Sequence, residues 1–195
     1  MTSVATSDFL LWARTCEIAP DERYDEPRCL VYVPYRDYDR FWVVPKSPEA
    51  IPYFAEQLLA GLGDWATCYL WLREGQWPSA KHSNSSNDAV RDLIFRAAQV
   101  PDGFEGALQF SKSERDKILG IISAILMYGW SVADDLFVIP NHGKVFLQTD
   151  HHGVVHVNCA DAKLPATFVA HMAENGFELP STVPDETFKK PTWMM

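Results

Sequence analysis

A chain of 195 residues, 47% hydrophobic and 22% charged, carries enough apolar mass for one core without disulfide staples. A formal net charge of −9, with no Lys/Arg run longer than Lys189-Lys190, speaks against a nucleic-acid surface, which needs basic patches to neutralise phosphates. No stretch approaches the ~20 apolar residues of a membrane-spanning helix, no basic segment opens the chain as in a signal peptide, and Cys16, Cys29, Cys68 and Cys159 form no C-x-x-C pair, so the expectation is a cytoplasmic protein with reduced thiols.

In chain order, residues 1–7 are small and polar and are expected to be disordered. Ser7 can cap a short helix over 8–16, and the charged run PDERYDEP at 20–27 reads as a loop. Strands are predicted at 28–33 and 41–44, from runs rich in β-branched and aromatic residues. Ser47, Pro48 and Glu49 then supply a cap, a proline at the first helical position and an acid at the positive dipole end, for a helix to about residue 59. A buried strand at 65–72, a polar loop at 79–87 and an amphipathic helix at 88–99 follow, the last from the spacing of Val90, Leu93, Ile94 and Ala97.

After a short strand at 104–110, Ser111 and Glu114 form a capping box for a core helix at 112–128, closed by Gly129. Strands at 135–139, 144–149 and 154–159, joined by two turns ending in glycine, make a β-meander. A last helix at 165–175 leads to a proline-punctuated tail at 180–195, expected to be extended. The pattern predicts one α+β domain over 1–195: an antiparallel sheet, meander included, with about four helices packed mainly on one face.

The run Asp150-His151-His152-Gly153-Val154-Val155-His156, with His142 just upstream, is the densest concentration of chemistry in the chain. If Thr149 pairs with Val154, Phe146, Val155, Val157 and Cys159 share one face, and Val145, Leu147, Val154, His156 and Asn158 the other. His152 and His156 are then ~13 Å apart, too far for one ion. A zinc site built from His142, Asp150, His151, His152 and His156 would need the turns folded over the strand, and it would make the chain a metal-dependent hydrolase. Asp and Gly are also ordinary turn formers, so the tip reads first as a plain hairpin turn, its His151 and His152 facing solvent or a partner rather than zinc.

Elsewhere, Cys159 stands close in sequence to His156 and Asp161, but neighbours along a strand do not present a nucleophile to its base. No G-x-S-x-G, G-x-G-x-x-G or H-E-x-x-H occurs. The aromatic stretches around Tyr35 and Tyr38, and around Trp71, Arg73 and Trp77, combine the residue types that dominate binding hot spots. The expectation is a protein-binding module, of the immunity or inhibitor kind, that neutralises a basic protein partner and needs no cofactor. Asp134, Asp135, Asp150, His151, His152, Tyr35 and Tyr38 are its candidate contact residues. Metal-dependent hydrolysis and a structural role within a larger complex are the alternatives.

Overall fold

The run Thr67–Leu72 is apolar at five of six positions, which suits a strand covered on both faces rather than one with a wet side. The computed structural model, which describes residues 1–22, 29–73, 75–78, 86–129 and 131–181, places it well inside a sheet. Among those residues the elements are β1 (Thr2–Val4), α1 (Thr6–Thr15), β2 (Ile18–Pro20), β3 (Leu30–Tyr32), β4 (Arg40–Val43), α2 (Ile51–Gly61), β5 (Thr67–Leu72), α3 (Ser86–Ala97), β6 (Ala107–Ser111), α4 (Arg115–Tyr128), β7 (Leu136–Pro140), β8 (Val145–Asp150), β9 (Val154–Cys159) and α5 (Leu164–Glu174). Seven strands form one antiparallel sheet in the order β1-β6-β5-β7-β8-β9-β4, and β2 and β3 form a separate hairpin. The molecule is therefore α+β, as its sequence pattern predicts, with five helices rather than about four. Among the described residues, no helix is long and apolar enough to cross a membrane.

Strand alternation sorts the interior into two layers. Cys68, Leu70 and Leu72 of β5, with Leu136 and Val138 of β7 and Leu147 of β8, face a large core shared with α2, α3, α4 and α5. Tyr69, Trp71, Phe137, Ile139 and Phe146 point the other way, where Phe9 and Ala13 of α1 and the β2–β3 hairpin cover them. Four helices thus lie on one face, and one helix with a hairpin caps part of the other.

Helix starts follow the sequence signals, with local changes. Ser111 and Glu114 do form the capping box, the Ser111 amide donating to Glu114 Oε2 over 3.1 Å, but the box opens a 3-10 turn, Lys112–Glu114, that then runs into α4. Pro48–Ala50 is likewise a 3-10 turn ahead of α2, and Ser47 spends its hydroxyl on the Glu49 carboxylate instead of capping the backbone.

Three expectations are corrected. Residues 1–7 are not disordered: Thr2, Ser3 and Val4 pair with Gln109, Leu108 and Ala107, and α1 begins at Thr6 with Ala5 at its N-cap, so Ser7 lies inside the helix and does not cap it. A three-residue edge strand has no periodicity of its own; it exists because β6 offers a free ladder. Gly106 permits the close approach, since at φ +132° a Cβ there would lie 2.2 Å from the Val4 carbonyl oxygen. Second, the stretch between the expected helix at 8–16 and the loop at 20–27, together with Pro20 of that loop, forms β2 (Ile18–Pro20) against β3.

The third correction concerns register. Asp150, not Thr149, pairs with Val154, so the hairpin loop has three residues, closed by the Gly153 amide donating to the Asp150 carbonyl over 2.9 Å. Gly153 at φ +79° is the left-handed residue that a three-residue hairpin requires. A slip of one residue changes every cross-strand partner. Val145, Leu147, Val155, Val157 and Cys159 all face the large core, while Phe146, Gln148, His156 and Asn158 share the opposite face. The loop expected at 79–87 lies mostly, and the tail at 180–195 almost wholly, outside the described residues, as does most of 20–27.

Ile121 of α4 is fully buried in the large core. Its replacement by alanine should cost about 2–5 kcal/mol, read as a lowered urea midpoint with an unchanged m-value. A loss below ~1 kcal/mol would mean that α4 is not packed on the sheet as described.

Candidate functional site

The three-residue loop determines what can meet at the hairpin tip. Asp150 uses one carboxylate oxygen to accept the His152 amide over 2.7 Å, an Asx turn that fixes the two imidazoles on successive residues. The rings of His151 and His152 lie 4.1 Å apart between centroids and are inclined at 41°. One ligating atom from each of Asp150, His151 and His152 falls within 4.8 Å of the others.

Beneath this tip is Asp135. Pairing of Phe137 with Gln148 and of Leu136 with Leu72 brings the residue before β7 beside both the β8–β9 loop and the residue after β5. Asp135 Oδ1 accepts the His151 backbone amide over 2.8 Å and faces the same residue's Nδ1 at 3.1 Å. Its Oδ2 accepts from the Arg73 guanidinium over 3.1 Å, and the Arg73 amide donates to the Asp135 carbonyl over 2.9 Å. At 1% exposure, burial pushes the Asp135 carboxyl up to about 6, further raised by the Asp150 charge and opposed by His151 and Arg73. A ring nitrogen facing a carboxylate carries the hydrogen, so His151 donates from Nδ1 and turns the lone pair of Nε2 away from Asp135.

Neighbouring Asp134 has a different task. Its Oδ2 accepts from the Ser131 amide and hydroxyl over 3.2 and 2.9 Å, and its Oδ1 from Arg91 over 2.7 Å. Arg91 also reaches Asp92 at 3.3 Å and Asp88 at 3.5 Å. This buried cluster ties α3 to the turn after α4. Neither Asp134 nor Asp135 therefore presents its carboxylate on a surface open to a partner, although both were candidate contact residues.

The five-residue metal set also divides. Asp150, His151 and His152 come together, and His142 and His156 do not join them. Both His142 nitrogens are engaged in holding a turn: Nδ1 accepts the Lys144 amide over 3.0 Å and Nε2 meets the Leu62 carbonyl at 3.1 Å. His156 sits on β9 between Gln148 and Phe41, half-buried, and burial holds its imidazole below the ordinary value of 6.5. His156 and Cys159 lie on opposite faces of the sheet, and burial pushes the Cys159 thiol up to about 12, which removes that pair as a nucleophile and base.

Tyr35 and Tyr38 part company as well. Tyr38 packs against the large core, whereas Tyr35 is 55% exposed. Tyr35 adjoins a cavity of ≈ 510 Å³ between the end of α1 and the β2–β3 hairpin. Glu17, Asp21 and Glu22 contribute acidic groups to that cavity, and Ile18, Val31 and Val33 apolar ones. The sequence did not point to this cavity, because its walls come from a hairpin whose first strand, Ile18–Pro20, carries no strand signal of its own. Arg73 stood in an aromatic cluster, but its ion pair with Asp135 depends on which strands neighbour one another.

Two outcomes test the site's electrostatics. Arg91→Ala should lose about 3–5 kcal/mol in chemical denaturation, because it strands the Asp134 and Asp92 carboxylates in a buried setting. His156 should make stability fall with acidity. Below 6.5 the unfolded chain takes up a proton that folded His156 resists, so the unfolded state binds more protons and is favoured as pH drops. The difference in unfolding free energy between wild type and His156→Gln should shift in the variant's favour as the pH is lowered from 7 to 5; a pH-independent difference would remove His156 from this role.

Comparison of the chain with protein-family models, with characterised proteins and with solved structures finds no match.

Proposed function

We propose that the chain is a protein-binding module that neutralises a basic protein partner, as an immunity or inhibitor protein does. The observation that supports this reading is the acid-edged cavity beside Tyr35. Val33, 51% exposed, and Tyr35 offer apolar and aromatic surface at its rim, next to Glu17 and Glu22; Arg14 also lines the cavity and Asp21 is buried in its wall. Such a surface suits an Arg or Lys side chain. The alkyl stem lies on the apolar wall and the ring, and the cation meets the carboxylates. Arg36, which stacks 5.7 Å from the Tyr32 ring and pairs with Glu17, is a cation already held in this manner by the protein itself.

The wider charge distribution favours the same class of partner. With 26 acidic and 17 basic residues, long-range attraction would speed encounter with a cationic protein and would weaken as salt rises. Tyrosine at the edge of an apolar cavity is the residue type that carries hot-spot energy, and its replacement typically costs about 2 kcal/mol or more of binding.

The full chain, immobilised and exposed to a lysate of its source at low ionic strength, should retain a basic protein that elutes with salt. For the purified pair, Tyr35→Ala should raise Kd at least ~10-fold, and added salt should lower the association rate more than it raises the dissociation rate. Failure to recover any protein partner, or affinity that ignores both Tyr35 and ionic strength, would overturn the proposal.

A further inference from the structure

The hairpin tip lies apart from the Tyr35 cavity and has no part in the function proposed above. It combines two imidazoles and a carboxylate on three consecutive residues. Divalent cations of the calcium and magnesium type prefer sets of oxygens, whereas a mixed nitrogen and oxygen set suits first-row transition ions. We infer that Asp150, His151 and His152 form a binding site for a divalent transition-metal ion, with zinc the probe of choice, and that Asp135 is its positioning residue.

Geometry supports each part. Ligands ~2.1 Å from a tetrahedral ion stand ~3.4 Å from one another. One ligating atom of each residue lies within 4.8 Å of the others, on side chains that are half-buried or exposed and free to adjust. The Asx turn uses one Asp150 oxygen, and the second remains for a metal. Asp135, buried and anchored by Arg73, holds His151 at Nδ1, which also stands 3.7 Å from Asp150 Oδ1, so an ion bound at this tip is to be taken through Nε2 after the ring edge turns toward it. A carboxylate hydrogen-bonded to the far nitrogen of a ligating histidine fixes the ring and raises its basicity.

Three protein ligands leave a fourth position for water or for an outside donor.

Untagged full-length protein, stripped with a chelator and desalted, is titrated with zinc against a chromophoric competitor. Wild type should take up about one equivalent. His152→Gln and Asp150→Asn should each weaken binding at least ~10-fold, whereas His156→Gln should leave it unchanged. Asparagine retains the oxygen that accepts the His152 amide, so Asp150→Asn keeps the turn, and His152 is exposed. Unaltered thermal melts should confirm that both variants fold. Asp135→Asn should weaken zinc ~10-fold and shift the visible spectrum of the cobalt-loaded form, a signature that depends on ligand placement. Uptake below ~0.1 equivalent by wild type, or full affinity in both His152→Gln and Asp150→Asn, would overturn the site. An unshifted cobalt spectrum and unchanged affinity in Asp135→Asn would overturn the positioning role.

Discussion

Strand β5 has no polar face. Cys68, Leu70 and Leu72 lie against the four-helix layer and Tyr69 and Trp71 against the smaller one, so the strand is stable only if both sides of the sheet are covered. Much else follows from that requirement. α1 and the β2–β3 hairpin supply the second cover, with Phe9 at 5.5 Å from Trp71 and Tyr32 at 5.3 Å from Phe146. Because this cover reaches only part of that face, the sheet beyond it, along β8, β9 and β4, presents Gln148, His156 and Phe41. Of the two candidate surfaces, one lies between α1 and the covering hairpin, and the other stands apart from it at the tip of the β8–β9 hairpin.

Asp135 shows how the same architecture makes chemistry. A carboxylate with almost no solvent exposure is costly unless its oxygens are satisfied, and here the satisfying groups come from the ends of two other strands. Arg73 leaves β5 and His151 leaves β8, and antiparallel pairing through β7 delivers both to one point. The ion pair and the two bonds to His151 stop the hairpin tip from rotating freely. Asp134, one residue earlier, is turned toward α3 and is neutralised by Arg91. Two adjacent acids therefore serve two different parts of the fold, and neither acts as an exposed charge.

Much of the architecture was legible in the sequence because its signals are local. Ser111 and Glu114 announced the start of the core helix, the spacing of Ile118, Ile121, Ile122 and Ile125 its buried face, and the paired glycine turns the meander. The errors arose where the deciding partner is remote. Thr2–Val4 is a strand because of β6, more than 100 residues away, and Ile18–Pro20 is one because of β3. The hairpin register turned on whether the loop had three residues or four, a choice made by Gly153 entering the left-handed region and by the Asp150 side chain closing on His152.

For the histidines, the sequence by itself determined that a turn would gather Asp150, His151 and His152, since consecutive residues in a tight loop cannot be far apart. It also established the acidic charge, the cysteine spacing and the α+β pattern, all of which depend on composition or on short-range periodicity. Only the tertiary structure decided that His142 is locked against Leu62, that His156 is set into the sheet face, and that a buried Asp135 orients His151. Each of those depends on which strands lie side by side, and strand order is governed by the burial of both sheet faces at once, a condition that no local stretch of sequence contains.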